Sequence, residues 1–140
     1  MKRSQEMFVT ETDRERLQNL IQLVRAGNGD AESHDVKLLE EGLESADVVL
    51  SQEIPADIVT MRSKVKLEDV DSGDRSTYSI VFPTEADPES GRISILAPLA
   101  SAVLGRRVGE IVEFQAPSRL RRIRLEKMLY QPESAGDYSL

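Results

Sequence analysis

The chain has 140 residues, a formal net charge of −7 and a sequence pI of about 4.8, a size that suits one modest domain or a domain with an appendage. The acids are uneven: residues 1–53 hold 12 acids against 6 lysines and arginines, which argues against broad binding of a phosphate backbone by that part. Cysteine is absent, which excludes disulfides, zinc–thiolate sites and cysteine nucleophiles.

The N-terminal stretch MKRSQEMF lacks the apolar core of a signal peptide. No apolar run approaches the roughly 20 residues that a membrane-spanning helix needs. We therefore expect a cytoplasmic protein with no membrane partner.

The first predicted element is a helix that ends at Gly27 and Gly29. A capping box formed by Thr12 and Glu15 predicts its start, with Thr10 as an alternative cap. Apolar residues at helical spacing mark one face of this helix: Leu17, Leu20, Ile21 and Val24.

A second helix is predicted from Asp35, a plausible N-cap. Its apolar residues follow the 3, 4, 3, 4 spacing of a heptad pattern: Val36, Leu39, Leu43, Ala46 and Leu50. Two such helices joined by a short loop should fold back on one another. Residues 1–53 are thus predicted to form a short antiparallel coiled-coil hairpin.

Beyond Pro55 the apolar period changes from helical to two, which indicates strands. Alternation predicts a strand from Val59 to Leu67, a turn at 71–74, and further strands over 78–82, 93–95, 108–114 and 120–129. The stretch LASAVLG, 99–105, predicts a short helix with Pro98 at its first position. Residues 54–140 are therefore predicted to be an antiparallel sheet with one short helix, which makes the chain α+β.

Two candidates for a metal-binding or catalytic motif lack residues that such a motif requires. The stretch EDVDSGD, 68–74, resembles the start of a calcium loop, but Asp74 stands where a glycine is required and Ile80 where a glutamate is required. His34 is the only histidine, which is too few for a histidine metal site, and no Ser–His pair is suggested. We expect no metal, no cofactor and no catalytic residue.

Three features leave alternatives open. The acids Asp30, Glu32 and Asp35 at the predicted hairpin tip could organise a metal or could simply be solvated. The basic stretch RLRRIRLEK, 119–127, could grip an acidic partner or nucleic acid, although a solvated sheet face is favoured. The apolar corner at Leu96–Leu99 could pack on the sheet or could present a rigid docking edge.

Three stretches resemble the bacterial GreA/GreB transcription factor family, and in particular its Rnk-type (regulator of nucleoside diphosphate kinase) branch. They are EIPADIVTMRSKV (53–65), ISILAPLASAVLGRRVGEIV (93–112) and LEKMLYQPESAGDYSL (125–140). The resemblance implies an N-terminal coiled coil and an FKBP-like C-terminal domain that docks on RNA polymerase beside its secondary channel. It places docking residues at Leu96, Ala97, Pro98 and Leu99, where the cleavage factors have an Asp-Ser-Pro-like corner.

In the cleavage factors, carboxylates at the tip of the coiled coil help the polymerase hold a second magnesium ion that activates water. Here Asp30 and Glu32 are the nearest counterparts. Helices of about 13–15 residues give an arm of about 20 Å, roughly half of what the resemblance implies for those factors. A magnesium–oxygen bond spans only about 2 Å, so a short arm disfavours catalysis at a distant centre.

The expected function is therefore that of a monomeric, non-enzymatic regulator that binds RNA polymerase, competes with longer Gre-type factors and reads no nucleic-acid sequence directly. The first alternative is an active cleavage factor that uses Asp30 and Glu32. A remote alternative is a prolyl isomerase, suggested by fold analogy alone and disfavoured by the few aromatic residues.

Overall fold

A computed structural model describes residues 7–27, 34–116 and 118–137. Three α-helices and seven strands follow one another along these described residues: β1 (Phe8–Thr10), α1 (Glu11–Gly27), α2 (His34–Ser45), β2 (Asp47–Val49), β3 (Lys64–Asp69), β4 (Arg75–Val81), β5 (Arg92–Ser94), α3 (Pro98–Val103), β6 (Ile111–Gln115) and β7 (Leu120–Tyr130). The helical hairpin on an α+β body confirms the predicted fold class. We call α1 and α2 the arm, and residues 54–137 the body.

Helix α1 begins slightly earlier than the capping box predicts. The Thr10 side chain is the cap, because its Oγ1 accepts the backbone N–H of Asp13 at 3.0 Å. Thr12 therefore lies inside the helix, and the alternative cap is the correct one. The predicted apolar face is confirmed, since Leu17 and Ile21 are buried.

Replacing Thr10 by alanine removes this cap and is expected to lower the free energy of unfolding by about 1 kcal/mol. Thr12→Ala is the matched control, because Thr12 is half-buried within the first turn of the helix and does not cap it. Urea denaturation of both variants measures the difference. Equal losses for the two threonines would contradict the assignment of the cap.

Helix α2 begins at His34 and ends at Ser45, so the heptad pattern overestimates its length. Val36, Leu39 and Leu43 are buried as predicted, but Leu50 is 45% exposed. The chain leaves the helix to form β2, which pairs in parallel with β1, Phe8 opposite Asp47 and Thr10 opposite Val49. This unpredicted two-stranded ribbon joins the base of both helices.

Further along the arm, an ion pair between Arg25 and Glu40 ties the two helices together. The guanidinium of Arg25 donates to both carboxylate oxygens of Glu40, at 2.8 and 3.0 Å. This contact holds the pKa of Glu40 below its usual value.

The body is a five-stranded sheet in the order β5-β4-β3-β7-β6. Its pairings are antiparallel except at the edge, where the three-residue strand β5 runs parallel to β4. Two register shifts in the β3–β7 pairing leave Leu129 and Glu126 as extra residues on β7. Such bulges bend a strand and increase its twist, which suits a curled sheet.

The predicted strand from Val59 to Leu67 is only half correct. Strand β3 begins at Lys64, and the preceding residues form a buried turn around Arg62, which has φ of +67°. Val59 and Met61 are nevertheless buried. These two apolar residues alternate along the sequence because both pack inward from an irregular segment. The spacing of apolar residues alone cannot distinguish such a segment from a strand.

The arm and the body share one hydrophobic core, which contains Leu17 and Leu39 of the arm together with Val65 and Leu125 of the sheet. Gly105, just after α3, lies at the junction with φ of +79°. Its N–H donates to the Val59 carbonyl at 2.8 Å and its carbonyl accepts the Phe8 N–H at 3.0 Å. The hydrogen bond from Phe8 therefore ties the ribbon to the body, and the hydrogen bond to Val59 holds Gly105 in place within the body.

Candidate functional site

The predicted docking corner lies where the chain leaves β5 and enters α3. Ile95 is fully buried, whereas Leu96, Ala97, Pro98 and Leu99 are each half-buried. Pro98 occupies the first helical position, as predicted, and Ala97 is extended at φ −72° and ψ 143°. The four residues form an apolar surface that is partly open to solvent and backed by the core.

Three local hydrogen bonds hold the backbone of this corner in one conformation. The Leu96 N–H donates to Ser94 Oγ at 3.1 Å, and the Ala97 N–H donates to the Ser94 carbonyl at 2.9 Å. The Ser101 hydroxyl donates to the Ile95 carbonyl at 2.8 Å. Because the backbone is satisfied locally, little conformational entropy remains to be lost when a partner binds here.

A cavity of about 250 Å³ opens beside the corner, between α2, α3 and β6. Its walls are mainly apolar and include Leu38, Pro98, Ala102 and Phe114. Leu38 of the arm is 46% exposed. The corner therefore continues into a groove that could receive one apolar side chain of a partner.

The acids of the hairpin tip are not brought into any described site. Asp30 and Glu32 lie outside the described residues. Asp35 was predicted as the cap of α2, but the helix begins at His34, so Asp35 lies in its first turn. Among the described residues, no cluster of three or more histidine or acidic side chains is placed to hold a metal ion.

The basic stretch of β7 forms part of an ion-pair network on the outer face of the sheet. Ile123 and Leu125 are buried on the inner face, as predicted. On the outer face Arg122 pairs with Asp71 at 2.5 Å, and Arg124 pairs with Glu68 at 3.3 Å. These arginines are already paired with acids of β3 and of the turn that follows it.

The rejected calcium motif has a structural role instead. Asp69 Oδ1 accepts the N–H groups of Asp71 and Ser72, and Oδ2 accepts from Arg119 and Arg121. Burial alone would raise the pKa of Asp69, but these hydrogen bonds and the arginine charge hold it below its usual value. The predicted hairpin turn at 71–74 is observed, with Gly73 at φ +81°.

An ion pair between Arg62 and Glu85, which we call the clasp, was not predicted from the sequence. Arg62 donates from Nε and Nη2 to both carboxylate oxygens of Glu85, and its guanidinium lies 5.5 Å from the centre of the Phe82 ring. The clasp lowers the pKa of Glu85. Arg62 is the one described non-glycine residue with positive φ, a conformation that costs about 1–2 kcal/mol. Only the fold brings these distant residues together.

The structure combines a short helical arm, a curled sheet and an apolar strand-to-helix corner, and this two-part α+β architecture is the class to which the chain belongs. The chain belongs to the GreA/GreB family, because residues 54–130 match the family model "Transcription elongation factor, GreA/GreB, C-term". The resemblance seen in the sequence is thereby confirmed.

Curated and solved relatives agree with this family. The chain is 33% identical over 103 residues to the "Regulator of nucleoside diphosphate kinase" of Escherichia coli (strain K12), with 73% of this chain and 76% of the relative covered. It is 41% identical over 87 residues to GreA of Clostridium botulinum (strain Eklund 17B / Type B), covering 62% of this chain and 54% of GreA.

Among solved structures, a GreA/GreB factor from Nitrosomonas europaea superposes with a TM-score of 0.71 at 31% identity, covering 89% of this chain and 98% of the other. Within residues 7–27, 34–116 and 118–137, every helix is too short or too polar to cross a lipid bilayer.

Proposed function

We propose that this protein is a non-enzymatic transcription regulator that docks on RNA polymerase near its secondary channel and competes there with longer Gre-type factors. The corner at Leu96, Ala97, Pro98 and Leu99 would be the docking surface. The arm would occupy the channel entrance without inducing transcript cleavage.

The corner is the observation that carries this proposal. Its side chains are apolar and half-buried, and its backbone is held by three local hydrogen bonds. An apolar surface that is rigid before binding gains from burial and loses little entropy, which is typical of the central contacts of an interface. The adjoining groove at Leu38 and Phe114 extends the apolar area from the body to the arm.

The length of the arm supports the absence of cleavage. Helix α1 has 17 residues and α2 has 12, which correspond to about 25 and 18 Å at 1.5 Å per residue. A carboxylate must lie within about 2 Å of a magnesium ion to bind it. An arm of this length would leave its tip carboxylates short of a catalytic centre deep in the channel.

Pro98→Asp tests the docking surface. The change places a charge on an apolar contact, and we expect it to weaken binding to RNA polymerase by about tenfold or more, since an unpaired charge in an interface costs over about 1.4 kcal/mol. Aspartate is tolerated at the first turn of a helix, so α3 should persist. Quantitative pull-down or surface plasmon resonance with core polymerase measures the effect.

Leu129→Asp is the matched control, because Leu129 is also an apolar residue, is 44% exposed and lies near the end of β7, beyond the residues of β7 that pair with β6. Its affinity for polymerase should match that of the unmodified protein. If both variants bind as tightly as the parent protein, the corner is not the docking surface.

Competition and cleavage are tested separately on the same complexes. Addition of GreA should displace this protein from polymerase, and stalled complexes should keep their transcripts at full length when this protein is saturating. Simultaneous independent binding of both proteins would contradict the competition. Magnesium-dependent shortening of the RNA that is lost in an Asp30→Ala, Glu32→Ala variant would favour an active cleavage factor.

A further inference from the structure

Three lysines lie together on the outer face of the sheet, on the side that faces away from α3 and the core. Lys64 and Lys66 point outward from β3, because the intervening Val65 is fully buried. Lys127 of β7 lies directly opposite Lys66 in the strand register. We call Lys64, Lys66 and Lys127 the lysine patch.

The patch is unneutralised, unlike the rest of this face. In the part of the chain that the structure describes, none of the three lysines forms an ion pair, whereas Arg75, Arg122 and Arg124 on the same face all pair with acids. Like charges directly opposite on neighbouring strands are destabilising. A bound anion would offset the repulsion between Lys66 and Lys127.

A cavity of about 620 Å³ adjoins the patch. Ser79 and Tyr130 line the cavity, and both are register partners of Lys64, so Lys64 lies between these two lining residues in the sheet. This volume falls within the range of about 300–1,000 Å³ that is typical of small-molecule sites. The cavity and the patch therefore form one continuous surface.

The lining of the cavity suits a planar, polar ligand. Tyr130 is 40% exposed and contributes the one aromatic side chain of the lining, while Ser79 and Thr84 contribute hydroxyl groups that donate or accept. Its two arginines are each held by an acid, Arg62 by Glu85 and Arg92 by Asp87 at 3.5 Å. The cavity is thus close to neutral, and the excess positive charge lies beside it in the lysine patch.

We propose that this face binds a nucleoside di- or triphosphate, with the phosphates on the lysine patch and the base in the cavity against Tyr130. Ammonium groups bind phosphate as point charges, and an aromatic ring stacks on any base. The single aromatic platform favours a free nucleotide over a nucleic-acid strand, whose binding needs a row of rings along an extended basic groove.

Isothermal titration of the full chain with ATP, AMP, adenosine and tripolyphosphate tests the proposal. We expect ATP to bind more tightly than AMP, and adenosine and tripolyphosphate to bind more weakly than ATP. Raising the salt should weaken ATP binding, because surface charges are screened beyond about 8 Å at physiological ionic strength. Tripolyphosphate that binds as tightly as ATP would overturn the proposal, since the cavity would then contribute nothing.

Variants separate the two halves of the site. Lys66→Gln with Lys127→Gln should reduce the affinity for ATP by about tenfold or more, because two phosphate contacts are lost. Tyr130→Leu should weaken ATP binding but leave tripolyphosphate unchanged. Arg122→Gln is the control on the same face, because Arg122 already pairs with Asp71, and it should bind ATP as the parent chain does.

Thermal unfolding shows whether weaker ATP binding by a variant results from loss of the fold. Removing the repulsion between Lys66 and Lys127 should keep or raise the unfolding temperature of the double variant, so that lost binding reports the site itself. Unchanged ATP affinity in that variant would refute the proposal. A single-stranded oligonucleotide that binds more tightly than ATP would also refute it and would indicate a strand. Polymerase binding by the double variant should persist, since the corner lies on the other side of the sheet.

Discussion

Replacing Gly105 by alanine is expected to lower the free energy of unfolding by about 3–4 kcal/mol and to detach the ribbon from the body. The residue has φ of +79°, a left-handed conformation that costs a non-glycine residue about 1–2 kcal/mol. An added Cβ would also lie 2.8 Å from the Phe8 carbonyl oxygen. Overpacking of this kind costs a further 1–3 kcal/mol, roughly, because backbone must move.

Gly109→Ala separates the two contributions. Gly109 also has positive φ, +102°, but an added Cβ there meets no atom within 4 Å. It should lose only about 1–2 kcal/mol in urea denaturation. Hydrogen exchange at the Phe8 amide, which donates to Gly105, should accelerate in the Gly105 variant alone. Equal losses for the two glycines would show that the ribbon does not press on Gly105.

The second large effect is expected at Asp13, in the first turn of α1. Its Oδ2 accepts the Met61 N–H at 3.0 Å, which ties the arm to the buried turn of the body. Burial, with a smaller contribution from Glu133, raises the pKa of Asp13 from 3.8 to about 6, although the hydrogen bond from Met61 and the charges of Arg16 and Arg62 oppose the shift. Ionised Asp13 is therefore costly to the folded state.

This shift has a definite sign in the dependence of stability on pH. Between pH 3.8 and about 6 the folded state binds more protons at Asp13 than the unfolded state, so its contribution to stability falls as the pH rises. Above about pH 6 the cost is constant at about 3 kcal/mol, since one pKa unit corresponds to about 1.4 kcal/mol. The lowered pKa values of Glu40, Asp69 and Glu85 act in the opposite direction, because the stability that they contribute is lost as the pH falls through their folded-state pKa values.

Asp13→Asn keeps an oxygen for the Met61 N–H and removes the charge. We expect this variant to be more stable than the parent chain by about 2–3 kcal/mol at pH 7, with the difference vanishing near pH 4, roughly. Asp13→Ala is the contrast, because it leaves the Met61 N–H buried and unpaired at a cost of about 1–3 kcal/mol. Denaturation of the three proteins from about pH 4 to 8 measures these effects. A pH-independent difference between the parent chain and the Asp13→Asn variant would contradict the assignment.

The sequence predicts correctly those parts of the fold in which the spacing of apolar residues agrees with the local preferences of caps and prolines. Leu17 and Ile21, or Ile123 and Leu125, are buried on the face that their spacing predicts. Pro98 begins α3 because its missing N–H is needed by no helical carbonyl. The corner itself was predicted at the correct strand-to-helix junction, although its role in docking stays a prediction.

The parts that were missed depend on contacts between distant residues. The ribbon pairs Phe8 with Asp47, and three residues of extended chain give no periodic signal of their own. Leu50 continues the heptad pattern in the sequence, but the helix ends before it. The segment after α2 pairs with β1 instead of extending the helix. Likewise, the repulsion between Lys66 and Lys127 exists only in the strand register, which the sequence does not reveal.

The closure of both helices by one parallel strand pair makes the arm a separable insertion. The chain leaves the ribbon for the arm at Thr10 and re-enters the ribbon at Asp47, and these two points are fixed by the pairing of β1 with β2 and by the hydrogen bond from Phe8 to Gly105. Matched numbers of residues added to α1 and α2 beyond this clamp would extend the reach while the sheet, corner and lysine face stayed as they are. The length of the arm and the docking surface of the body can therefore change independently of one another during evolution.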